Sequence, residues 1–214
     1  MQIQSAAQPP LQECAARAFG IAIGNLFLGC FGMVWIVLGL KSAEKMNPLV
    51  LTLLSGFLVA LVVASMYIMR RTYGLLDRSQ ANRTAQKKIN RQFGLVNFLQ
   101  WSFIFAAVFG LPRLGLTRWI VPAIVFIVGI HFFPLARLFK ARMHYLVGAI
   151  IVAWAIIDPI LFSAGEADSM GAIGMGAILW AGAAFACSRA FHLLRRISSS
   201  AARNDVAREA TISS

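Results

Sequence analysis

Charge is what this sequence has least of. Asp, Glu, Lys and Arg make up 13% of its 214 residues, where soluble domains carry about 25%, and only eight of the charged residues are acidic. So few polar groups cannot cover a water-soluble core, which excludes that class. Cysteine is scarce too: Cys14, Cys30 and Cys187 have neither metal-ligand nor redox spacing, so no disulfide is expected. The sequence contains no Gly-x-Ser-x-Gly elbow, no His-Glu-x-x-His pair and no Gly-x-x-x-x-Gly-Lys phosphate cradle, so serine hydrolase, zinc protease and nucleotide-driven readings lose their signatures. No cofactor or metal is expected. Met1 to Ala16 holds no basic residue ahead of the first apolar run. That run is too long for a signal-peptide core, so the first span is expected to persist in the mature chain.

What is present is apolar. Hydrophobic residues reach 59% and fall into runs of about 18 to 22 residues with charges gathered between them, the length set by a hydrocarbon layer of about 30 Å. Lipid requires every backbone N–H and C=O to be satisfied internally. Long runs without strict alternation select helices over a closed barrel. The expected fold class is all-α: a polytopic integral membrane bundle with spans at 19–40, 48–69, 94–111, 119–138, 145–162 and 170–186. The Ser-, Ala- and Arg-rich segment 198–214 lacks aromatics and is expected to be a disordered tail.

Basic residues give the expected orientation. Across these six spans, Lys41, Lys45, Arg113 and Arg118 fall on one side and the other 16 of the 20 Lys and Arg on the other. The positive-inside rule then puts both termini and the loop from Arg70 to Arg91 in the cytoplasm. The net charge of +12 is read as contact with anionic lipid at that loop, with no nucleic-acid partner. Residues from Gln80 to Gln92 include no Gly or Pro and could continue as helix.

Small residues four apart let helices approach closely. Gly20 with Gly24, Ala172 with Gly176, Ala177 with Ala181, and Gly182 with Ala186 are such pairs, suited to packing within the bundle or to a homo-oligomer seam. Trp35, Trp119, Trp154 and Trp180 read mostly as lipid or interface anchors.

Ionisable residues inside spans cost about 2.5 to 3.5 kcal/mol at a helix centre, so each is a candidate site. Two stand out: His131 in the fourth span and Asp158 in the fifth. Asp158 precedes Pro159, which withholds a hydrogen bond from the Ala155 carbonyl and predicts a kink or early unwinding. If the fifth helix begins near Arg142, however, Asp158 lies about 24 Å along it, and the alternative is a helix-end aspartate in water. His131 suits a proton relay, a metal ligand or a bond to a neighbouring helix, and a pair with His144 across the turn is feasible. Asn25 and Gln100 are polar residues that line a path or join helices.

The stretch Gly129-Ile-His131-Phe-Phe-Pro134-Leu-Ala136-Arg-Leu-Phe139 resembles a segment of small, uncharacterised bacterial multi-pass membrane proteins of domain-of-unknown-function type. The resemblance covers 120–148 and implies a bacterial inner membrane location without implying an activity. The functional expectation is transport or permeation of a small solute past Asp158, His131, Asn25 and Gln100. The rival is a scaffold or regulator that packs through its glycine-rich helices and presents the basic loop, and a remoter third reading is an intramembrane enzyme using His131 and His144.

Overall fold

The computed structural model describes residues 11–76, 80–139 and 141–212, and the side chains of all of these except 80–86, 164–165, 167 and 201–212. Arg78 and Lys140, both counted in the charge asymmetry, lie outside the described residues, as do 77 and 79 of the basic loop. Six helices follow in order: α1 (Leu11–Ser42), α2 (Pro48–Tyr73), α3 (Gln80–Arg113), α4 (Ile120–Leu138, preceded by a 3₁₀ turn at Thr117–Trp119), α5 (Arg142–Leu161) and α6 (Ala164–Ile212). Each is long and apolar enough to cross a membrane, and no strand occurs among the described residues. The expected all-helical class holds.

Local chemistry explains the helix ends. Asn47 has extended backbone geometry, and its side chain accepts a hydrogen bond from the Val50 N–H at 2.9 Å, with Pro48 at the first helical position; both features start α2. Ser163 precedes α6 and its hydroxyl donates to Glu166 Oε2 at 2.7 Å. At the other end of α6, helix continues through Ile212 where composition predicted a disordered tail from 198. No Gly or Pro interrupts the chain after Gly182, and Ala and Arg are strong helix formers. Likewise α3 begins at Gln80, well before its apolar run.

In α5, Asp158 and Pro159 lie within the helix, which runs on to Leu161; the Phe162 N–H then bonds the Asp158 carbonyl at 3.1 Å. The expected break therefore comes after the proline and not at Asp158. Pro159 falls in the last turn, where few carbonyls have a partner to lose.

The helix α6 is the axis of the bundle, packed by α1, α2, α4 and α5, while α3 rests on α4 and the 3₁₀ turn. No residue of α3 is buried within its apolar stretch. The longest interface joins α1 and α6. Along α1 the buried residues are Ala15, Ala18, Ala22, Asn25, Gly29, Gly32, Ile36 and Gly39, a 3-4 alternation carried almost entirely by small side chains. A Cβ at Gly39 would lie 2.7 Å from the Ser169 carbonyl oxygen, and one at Gly176 2.6 Å from that of Gly32, so the two backbones touch. Close approach of this kind replaces the hydrophobic effect, which is absent between helices in lipid.

Two sequence expectations need correction here. For packing within the bundle, Gly20 and Gly24 face open space, with nothing within 4 Å of where a Cβ would stand, and Ala177 and Ala181 are exposed; Ala172 and Gly176 are buried, with Gly176 on the α1–α6 seam, and Gly182 packs on Val147 of α5. Trp154 and Trp180 are not anchors toward lipid. Their indole N–H groups donate to the Gly171 carbonyl at 3.3 Å and the Gly29 carbonyl at 2.9 Å, linking α5 and α1 to α6.

Candidate functional site

The four residues singled out from sequence occupy three different places. Asn25 is 1% exposed on α1, and neither end of its amide has a partner among the described residues. The register of the neighbouring helix shows what shares its level. Gly29 packs on Leu58 and Leu61 of α2, and Ala22 clusters with Ile68 of α2 and Cys187 of α6. Ser65 of α2 falls in the layer between; it is 0% exposed and its hydroxyl is likewise unpartnered among the described residues. Sequence reasoning missed Ser65 because a lone serine in an apolar run carries no mark.

His131 lies on α4, half-buried against α3, where it interacts with the Val96 backbone. His131 and His144 each pack on the ring of Phe132, at centroid separations of 6.5 and 5.8 Å. Their Nδ1 atoms have no partner among the described residues, and no group of three metal-ligating side chains occurs there. Gln100 is half-buried on the peripheral α3, which among the described residues packs mainly on α4 and the 3₁₀ turn, away from Asn25 on α1.

Asp158 is the most telling of the four. It is 1% exposed, and both carboxylate oxygens lack a hydrogen-bond partner among the described residues. The reading of a helix-end aspartate in water is thereby corrected. The side chain turns from the end of α5 into the angle between α4 and α6, where a Cβ at Gly171 would lie 2.9 Å from Asp158 Oδ2 and 3.3 Å from Val121 Cγ1. The absence of a side chain at position 171 is what makes room for the carboxylate. Trp154, one turn earlier on α5, covers Gly174 and occupies the Gly171 carbonyl.

A second carboxylate stands beside it. Asp168 precedes Gly171 by three residues on α6 and so shares its face, within electrostatic reach of Asp158. It is half-buried, with Oδ1 buried and unpartnered among the described residues. Sequence reasoning took 163–169 as a connection and passed over Asp168. The signal was the i, i+3 spacing from Asp168 to Gly171 at the head of the last span.

No family model, curated protein or solved structure matches the chain. The site must therefore be read from its own chemistry. Burying an ionised carboxylate is costly unless a donor or counter-charge meets it, and among the described residues no donor meets either oxygen of Asp158. Two open surface grooves lie elsewhere among the described residues. One of about 550 Å³ is lined by Tyr67, Phe191, Leu194, Arg195, Ser198 and Ser199; the other, of about 480 Å³, lies along α3 at Lys88, Arg91, Gln92 and Leu95. None of the four candidates lines either groove.

Proposed function

We propose that this protein is a small-solute transporter of the bacterial inner membrane in which Asp158 carries the exchangeable positive charge that couples to movement. One observation carries the reading: an aspartate within a membrane-spanning helix is 1% exposed and has no described partner for either oxygen. An ionisable group is costly at such a place and marks a functional site by default. Its position against Gly171, at the meeting of α4, α5 and α6, supports a site whose access depends on how these three helices pack. The Lys and Arg asymmetry supports cytoplasmic termini, with Asp158 toward the outer face and the basic stretch from Arg70 to Arg91, the end of α2 and the start of α3, against anionic lipid. The resemblance of 129–139 to bacterial membrane proteins supports the location.

The reading is tested in proteoliposomes loaded with a pH indicator and clamped with potassium and valinomycin. A small-molecule fraction of cell extract is added to wild type and to Asp158→Asn. Solute-dependent flux in wild type, lost in the variant, is the expected outcome. Equal traces for protein-free vesicles, wild type and variant would favour the scaffold reading, which the tight α1–α6 seam through Gly32, Gly39 and Gly176 independently supports.

A further inference from the structure

The surroundings of Asp158 and Asp168 bear on both the charge exchanged at Asp158 and the route by which it arrives. A metal cation wants about six oxygen ligands. The pair offers at most four carboxylate oxygens, three of them buried without a described partner: Oδ1 and Oδ2 of Asp158 and Oδ1 of Asp168. The nearby Gly171 carbonyl is taken by Trp154, and Val121 closes the α4 side. Lys41, Glu44 and Lys45 follow the point where Gly39 of α1 meets Ser169, the residue after Asp168, so cations and a further carboxylate share this end of the bundle. Glu166 accepts from Ser163, and Arg118 of the 3₁₀ turn, which packs against α6, lies 4.9 Å over the Trp119 ring. A proton needs only one oxygen, and two carboxylates pass it when their oxygens come within hydrogen-bond reach directly or through one water.

The two aspartates differ in exposure. Asp158 is enclosed, whereas Asp168 is half-buried, with only its Oδ1 among the buried unpartnered atoms. Asp168 also lies about 4.5 Å nearer the start of α6 than Gly171, on which Asp158 rests. Resting on the proposed role of Asp158, we infer that Asp168 is the proton entry residue: it takes a proton from water at the end of the bundle where α5 stops and α6 starts, and passes it inward to Asp158. The step balances simply. The O–H bond on Asp168 breaks as an O–H bond forms on Asp158, leaving Asp168 as carboxylate and Asp158 as neutral acid. Asp168 is then recharged from water, and the reverse sequence releases the proton. The acidic pair is more than a surface cluster because one member is fully enclosed and unpartnered among the described residues.

The test is time-resolved infrared spectroscopy of the purified full chain after a pH jump, following the carboxylic-acid C=O band. The band assigned to Asp158 is the one that Asp158→Asn removes. In Asp168→Asn the appearance of that band is expected to slow by about tenfold or more, approaching the lower range for loss of a positioned acid–base group, and Asp168→Glu is expected to restore most of the rate. An unchanged rate in Asp168→Asn would overturn the entry role while leaving the Asp158 reading intact. Slowing in both variants alike would also overturn it, because a merely structural aspartate is not rescued by glutamate. If wild type shows no band that Asp158→Asn removes, the exchangeable charge at Asp158 itself falls, and the entry role with it.

Discussion

The carboxylate of Asp158 rests on Gly171: a Cβ at that glycine would lie 2.9 Å from Asp158 Oδ2. An acid on α5 and a missing side chain on α6 thus form one feature. The glycine lets the acid be enclosed, and the enclosure gives the acid its chemical interest.

Gly171→Ala should therefore disturb the site. The added methyl would meet Oδ2 and, at 3.3 Å, Val121 Cγ1, an overpacking that costs about 1 to 3 kcal/mol. Gly24→Ala, where nothing lies within 4 Å, should be neutral or slightly stabilising, since Ala is the better helix former by about 1 kcal/mol. Thermal unfolding of the two detergent-purified variants compares them directly, and equal losses would contradict the geometry.

Asp158→Asn preserves shape and removes the charge. The variant is expected to fold at least as stably as wild type, because an enclosed carboxylate without a donor is destabilising when ionised, and to lose coupled flux. A large fall in melting temperature would mean that the carboxylate makes a structural bond.

Along the α1–α6 seam, Gly176→Val should be severe. The first added carbon would meet the Gly32 carbonyl oxygen at 2.6 Å and Ile36 Cγ1 at 2.5 Å. Because one obstacle is backbone, relief requires the helices to part. A loss of about 3 kcal/mol or more, or failure to accumulate as a monodisperse species on size-exclusion chromatography, is expected.

Trp180→Phe removes the indole donor to the Gly29 carbonyl, 2.9 Å away, while keeping most of the ring contact with Phe57 at 4.4 Å. The cost should be about 0.6 to 1.7 kcal/mol, the range for interhelical hydrogen bonds in lipid. Ser65→Ala, compared with it in the same unfolding assay, should cost nothing: its hydroxyl is enclosed with no described partner, so removing it abolishes a desolvation penalty.

Much of the fold was legible because its signals are local. A run of apolar residues long enough for the bilayer declares itself without knowledge of its neighbours, and Asn47-Pro48 marks the start of α2 by hydrogen bonding within one turn. The site was legible only in part. Asp158 stood out as a charge in an apolar run, but its partner Asp168 sat among polar connecting residues, and Ser65 had no distinguishing neighbour.

By itself, then, the sequence determined that six helices form and roughly where each crosses, since bilayer thickness and backbone hydrogen bonding act on each segment alone. Only the tertiary structure decided which face of each helix turns inward. Lipid is as apolar as leucine, so no contrast between an apolar and a polar face distinguishes the Ala18–Gly32 stripe of α1 from the Gly20–Gly24 pair; the contact of α1 with α6 at Gly32 and Gly176 makes that choice. The same packing encloses Asp158 on Gly171 and leaves Gln100 on the peripheral α3, because burial of a side chain is a property of the neighbours that cover it.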